Sequence, residues 1–221
     1  MVVLATKCYV EGDARERALD GLGSLVDNAI GELGVEYDIG VRHDDFPSVT
    51  VEGEDETVAR NVLDERWGTI TPDFESGDTY TGTLESWDES GFILDAGEDI
   101  HVPSAELGLG PGTPEQIRTR FGLVQHVPMQ FVYGEPHRLA DAERDRLYEW
   151  SRGAGRVNAN SATRGEVRAT VNRAGHANDI VTVERLGLLE QSIICGEGTD
   201  PPGLLSSIGG YLPAELLCVV P

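Results

Sequence analysis

Five arginines, Arg152, Arg156, Arg164, Arg168 and Arg173, fall between Trp150 and His176, where the only acid is Glu166. A guanidinium is a planar fork that takes a phosphate through two parallel hydrogen bonds, and it keeps that contact in salt better than a point charge does. Arg164 and Arg168 stand four apart, on one face of a helix. Asn158, Asn160 and Asn172 add donors able to reach phosphates or base edges. The chemistry this window offers is contact with a polyanion. The alternative is that the same arginines neutralise carboxylates of the same chain, and the sequence leaves both open.

The window matters because it runs against the rest of the chain. There are 39 acidic residues against 17 basic ones, for a net charge of −22, and Lys7 is the only lysine. Dense surface carboxylates hold water and cations, whereas lysine stems add apolar surface that salt drives together. This composition predicts a protein that works in concentrated salt, as in a haloarchaeon. At molar salt the Debye length is about 3 Å, so net charge does not exclude nucleic acid, and local arginine placement becomes the informative quantity.

Other chemistry is scarce. Cys8, Cys195 and Cys218 each sit in an apolar run and form no C-x-x-C pair, which predicts buried free thiols in a reducing cytoplasm and no zinc site. The five histidines show no metal spacing, and His43-Asp44-Asp45 reads as turn chemistry. No nucleophile elbow, phosphate loop or dinucleotide fingerprint is present. Gly196–Gly203 reads as a strand–turn–helix junction with Thr199 or Asp200 as the cap. No cofactor is expected. No apolar stretch approaches the ~18 residues of a membrane span, and Met1–Val10 reads as a first strand rather than a signal peptide.

The elements that must position these groups divide into three modules, giving an α+β chain. Residues 1–70 form a β-α-β-β-α sandwich: a strand over Val2–Val10, a helix over Arg15–Leu33 closed by Gly34, a hairpin of Tyr37–Val41 and Ser48–Glu52 around HDDFP, and a helix capped by Asp55. Residues 71–136 carry short glycine-interrupted strands, Asp78–Ser86, Gly91–Ala96, Ile100–Pro103 and Val127–Tyr133, with a helix opened by Thr113 and Pro114. They predict a small β-barrel. Residues 137–221 form a C-terminal α/β module. It has a helix over Leu139–Trp150, a capping box at Thr163-x-x-Glu166, a helix or irregular turn over Ala177–Leu186, and strands at Leu188–Cys195 and Glu215–Val220. Trp67 and Trp150 read as core.

Gly77 and Gly82, then Gly91-Phe92-Ile93, then Ala105-Glu106-Leu107-Gly108 resemble the motif series of an S1-type OB-fold RNA-binding domain. The resemblance covers the central module and implies strands that offer aromatic faces on which bases stack. Phe92 is the matching aromatic; Tyr80 and Trp87 are candidates by alternation. Pro103 stands where that family has its histidine, His101 falls two places earlier, and the family's basic residues are absent. Whether the barrel face keeps a ligand therefore stays open. The whole chain, most clearly ERLGLLEQSIIC and GTDPPGLLSSIG, is also similar to an archaeal family known by a domain-of-unknown-function label.

Together these readings predict a non-catalytic RNA-binding accessory protein of archaeal translation or transcription. Its partners would be RNA or a protein of that machinery, and no membrane. The nucleic-acid-binding residues would be the five arginines with Phe92, Tyr80, Trp87 and His101. The alternative is a protein-interaction adaptor whose arginines meet an acidic partner.

Overall fold

The alternating runs on either side of HDDFP pair as expected. In the computed structural model, which describes residues 1–221, strand β2 (Val35–Val41) lies antiparallel to β3 (Pro47–Gly53), with Val41 opposite Pro47 and Val35 opposite Gly53. Helix α1 (Gly12–Ile30) and helix α2 (Glu56–Trp67) cover one face of this sheet. Leu22, Val26, Ile30, Ala59 and Leu63 recur at helical spacing and pack on Val49 and Val51.

Three details differ from the sequence reading. Strand β1 is only Val2–Val3, paired to β3. Beyond it the backbone N–H groups scatter: Leu4 donates to the Pro47 carbonyl, Ala5 to Gly68 and Cys8 to Asp45, so no ladder continues. Helix α1 ends at Ile30 with Gly31 as its cap, four residues before Gly34 would close it. Asp55 precedes α2 without capping it; its carboxylate accepts the Gly34 N–H at 2.8 Å and ties the two helix ends together.

The central sheet contains β4 (Thr79–Asp88), β5 (Gly91–Asp95), β6 (Asp99–Pro103), β7 (Pro128–Val132) and β8 (Arg138–Leu139). Their order is β6-β5-β4-β7-β8, antiparallel throughout. The sheet curls into a half-barrel around Leu84, Phe92, Leu94, Val102, Met129 and Phe131. The register shifts between Leu84 and Ser86, so Glu85 is an extra residue that bends β4 and re-aims its own side chain. Gly91 lies at φ 155°, and a Cβ there would run into the Val102 carbonyl, so this motif glycine serves the curl itself. Helices α3 (Pro114–Phe121), opened by the Thr113–Gln116 capping box, and α4 (Asp141–Trp150) close the barrel with Phe121, Leu147 and Trp150. Leu139 and α4, which the sequence divided off at residue 137, thus belong to the central core.

The last sheet runs β10-β11-β9-β12, with β9 (Arg156–Ala159), β10 (Ile180–Arg185), β11 (Gln191–Cys195) and β12 (Leu216–Val219). Helices α5 (Arg164–Arg173) and α6 (Pro201–Ile208) bury Val167, Val171, Leu204 and Ile208 with Val157 and Ile193 of the sheet. Thr163 and Glu166 form the expected capping box, and Asp200 caps α6 through the Gly203 N–H. Two readings are corrected here. The stretch before α5, given no element in the sequence reading, contains a central strand, β9. Residues 180–185 are an edge strand, as the β-branched run Ile180–Val183 suits. No helix is long and apolar enough to cross a membrane.

Candidate functional site

The segment after β1 passes between the three domains, and its side chains build a polar seam. Lys7, 6% exposed, places its Nζ 2.9 Å from Glu85 Oε2 and 2.7 Å from Asp95 Oδ2. Burial works against the ammonium, but the hydrogen bonds it donates to Asp95 and Glu85 outweigh that, and its pKa is raised. His126, at φ 67°, stands 3.3 Å from the same Glu85 oxygen. His126 first, then Lys7, pulls the Glu85 carboxyl down to about 2.

The seam continues into the C-terminal domain. Tyr9 donates its hydroxyl hydrogen to Glu190 Oε1 at 2.7 Å and accepts the Ser161 N–H at 2.9 Å. Its ring lies 4.1 Å, centroid to centroid, from that of His126. Glu190 is wholly buried and its Oε2 has no partner. Burial pushes this carboxyl up to about 8, so near neutral pH it is an uncharged acid with a proton to donate.

A second set of contacts joins the central and C-terminal domains. Arg118, 4% exposed, pairs with Glu215 and Glu115 and lays its guanidinium 3.7 Å over the Trp87 ring. The Trp87 indole N–H donates to Glu115. Trp87 is thereby covered by this chain's own arginine. Phe92 is 0% exposed in the barrel core and offers no face to a base. Both depart from the expectation of an open stacking face: Phe92 alternates with Leu94 on the core side of β5, and Trp87 lies under Arg118 of α3. His101 remains exposed on β6, bonded to Ser90 Oγ at 3.0 Å, apart from the other candidates. Asn158 and Asn160 are likewise internal: they donate to the carbonyls of Gly122 and Gln125.

The arginines separate into two groups. Ten of the sixteen have a carboxylate of this chain in ion-pair range. Arg152 is among them, with Glu149, and Arg156, with Glu184 at 3.7 Å and the Trp150 ring at 4.8 Å. For these two, internal neutralisation replaces the expected open patch. Arg120 is held by the carbonyls of Pro111 and Leu109.

The remaining five, Arg66, Arg164, Arg168, Arg173 and Arg185, meet no carboxylate. Arg168 and Arg173 are exposed on α5. Arg164 Nε donates to the Val183 carbonyl at 2.6 Å, which brings the start of α5 onto the end of β10, where Arg185 lies two residues further on. Burial, then the neighbouring guanidinium groups of Arg164 and Arg66, lowers the pKa of Arg185. Arg66, at the end of α2, lies over the Trp67 ring at 5.7 Å.

Of these three only Arg66 lines a cavity of about 700 Å³ to which every domain contributes: Arg66, Trp67, Asp64 and Glu65 from the first, Thr81, Gln130, Glu143 and Arg146 from the second, Gly187, two residues after Arg185, from the third. Gly68, at φ 71°, keeps the walls this close; a Cβ there would lie 2.8 Å from Thr81 Oγ1. Tyr80 also lines this cavity, with its hydroxyl accepting the Glu75 N–H at 2.8 Å. No three His, Cys, Asp or Glu side chains come together as a metal site.

Of the expected residues the structure thus puts Tyr80 on the cleft and Arg164 near Arg185, leaves Arg168 and Arg173 exposed on α5, and takes Arg152, Arg156, Phe92, Trp87 and His101 elsewhere. Arg66 and Arg185 were missed because each follows a glutamate, in DERWG and VERLG, where a charge window sums to nothing. Lys7 carried a signal, a lone lysine within an apolar run.

Three family models match in chain order: the DUF2110 N-terminal domain at residues 1–73, the DUF2110 central domain at 74–151 and the DUF2110 C-terminal domain at 154–220. Their limits coincide with the three cores. None of the curated proteins matches the chain.

Proposed function

We propose that this chain, which belongs to the DUF2110 family, binds RNA as a non-catalytic accessory protein, through the cleft that all three of its domains build. The observation that carries the reading is the meeting of Arg66, Arg164 and Arg185 with none of them in an ion pair, in a chain with 39 acids, three of which (Asp64, Glu65 and Glu143) line the adjoining cavity. Any nearby acid would relieve the mutual repulsion of three guanidinium groups; a phosphate would do the same and gain bidentate hydrogen bonds. Arg168 and Arg173 extend the positive surface along α5, as a phosphate track requires. Their neighbours are single residues on rigid helix and strand ends, so little order is lost on binding.

The curled central sheet supports the same reading. Its order, with β4 between β5 and β7 and a helix between the third and fourth strands, fits a five-stranded OB-type barrel of the S1 kind. In this chain the barrel contributes Tyr80, Thr81 and Gln130 to the cleft rather than an open stacking face. The acid-rich, lysine-poor surface fits work in concentrated salt, in the archaeal setting that the composition suggests.

The test is RNA retention across a KCl series. The chain is expected to hold an oligouridine with a binding constant that falls as salt rises, by a log–log slope of about 0.7 per phosphate contacted. Arg164→Glu with Arg185→Glu is expected to abolish retention while circular dichroism is unchanged, and Arg152→Glu to leave it intact. Equal retention in wild type and the double variant would sink the reading. Binding that survives nuclease but follows an acidic protein would transfer the arginines to the adaptor alternative.

A further inference from the structure

A phosphate needs only the arginines, yet Arg66, and Leu186 and Gly187 just after Arg185, also line a chamber of about 700 Å³. That volume suits an organic ligand of nucleoside size and greatly exceeds that of an inorganic ion. Its wall is aromatic on two sides, with Trp67 from the first domain and Tyr80 from the second. Several lining groups are polar and have no partner in the protein: the Trp67 indole N–H, the hydroxyls of Thr79 and Thr81, and the Gln130 amide. Behind Gly187, in the gap beside Pro128, stands the unpartnered Oε2 of Glu190; a Cβ on Gly187 would run into it. Asp64 and Glu65 add acceptors, and Glu143 is paired with Arg146 in the same wall.

We propose that this chamber receives one unstacked base of the single-stranded RNA whose phosphate the arginines hold, with an acceptor-rich pyrimidine such as uracil favoured. The proposal rests on the phosphate reading above. Arg66 connects the two, since it belongs both to the rim and to the Trp67 ring. A strand entering past Arg164 and Arg185 would place its phosphate on the guanidinium groups and turn its base inward against Trp67. Stacking on such a ring does not depend on base identity, whereas the indole, hydroxyl and amide donors would meet the two carbonyl oxygens of uracil. Gly68 and Gly187 let the walls approach this closely, since a Cβ on either would run into Thr81 or Glu190.

The experiment compares a twelve-residue oligouridine with an abasic ribose-phosphate strand of equal length. Wild type is expected to bind both, the oligouridine about tenfold or more tightly, since one stacked base is worth about 1–3 kcal/mol. Gln130→Trp fills the chamber from an exposed position and should bring oligouridine affinity down to that of the abasic strand. Thr79→Trp, also exposed, repeats the test should the first variant fold poorly. A 4-thiouridine photocrosslink should map to Trp67, Tyr80 or Gln130. Equal affinity of wild type for the two strands would overturn the base pocket and leave the phosphate rim standing. Failure of wild type to bind either strand would overturn both.

Discussion

At the seam, Lys7 lies between Glu85 and Asp95 with almost no surface in solvent; at the cleft, Arg66, Arg164 and Arg185 neighbour one another and none makes an ion pair, although Asp64, Glu65 and Glu143 line the adjoining cavity. Acids are abundant in this chain and line this cavity too, so arginines left without an ion pair here are a property of that place. The seam is closed: its charges and hydrogen bonds join three domains, and removing any one leaves others buried without a partner. The cleft is open: its charges repel one another and await a counter-charge. The seam should therefore govern stability and the cleft should govern affinity, and each region should be nearly indifferent to the other's measurement.

The largest effect expected is a pH dependence of the seam. Glu190 has its carboxyl pushed up to about 8, from an ordinary 4.5 in the unfolded chain. Between those values the folded protein keeps a proton that the unfolded chain gives up. Stability contributed by the neutral acid is present below pH 4.5 and drains away as pH rises to 8. The full span is on the order of 4 kcal/mol. Urea unfolding at pH 5, 7 and 9 should show the decline, and Glu190→Gln should flatten it and be the more stable form at pH 9. A wild type as stable at pH 9 as at pH 5 would remove Glu190 from the seam's energetics.

Removing Lys7 should have an effect of similar or slightly smaller size. Lys7→Met keeps the stem and deletes the charge, which strands Glu85 and Asp95; breaking a buried pair this way costs about 3–5 kcal/mol. Thermal unfolding in KCl measures it. The contrast is the point: Arg185→Ala should change stability by no more than about 0.5 kcal/mol, with any shift upward because like-charge repulsion is relieved. A Lys7→Met variant as stable as Arg185→Ala would erase the distinction between the two regions.

Much of the scaffold was legible because the signals were local. The hairpin around HDDFP, both capping boxes and the amphipathic faces of α1 and α2 depend on neighbours within a few residues. The seam was not legible, because Leu4–Cys8 looks like any apolar strand until the domains close around it and send its N–H groups to different carbonyls. Phe92 misled for a related reason: the motif locates the strand, while the bulge at Glu85 and the docking of Arg118 on Trp87 decide which side faces water. The arginine window contained Arg164 but not Arg66 or Arg185. Those two lie outside it, each directly behind a glutamate in the sequence.

Gly68 marks the border between the two regions and should give an intermediate effect. Gly68→Ala forces a side chain onto a backbone at φ 71° and into Thr81, at a cost of about 1–3 kcal/mol. Because Gly68 also lines the cleft, the variant should lose oligouridine affinity as well. A loss of stability with full affinity would mean that the cleft tolerates a shift between the first two domains.

The smallest effect expected belongs to Arg152, and it completes the comparison. Arg152 and Glu149 are both well exposed, and an exposed pair one helical turn apart is worth only a few tenths of a kcal/mol. Arg152→Ala should therefore leave the melting temperature within error. Since its charge is already answered by Glu149, RNA affinity should hold as well, at any salt. Arg185→Ala, an equally simple truncation, should leave stability alone but cut affinity and reduce the salt slope by about 0.7. If Arg152→Ala weakens binding as much as Arg185→Ala does, the possession of a carboxylate partner is not what separates binding arginines from the rest, and positive charge anywhere in the window would be the operative feature.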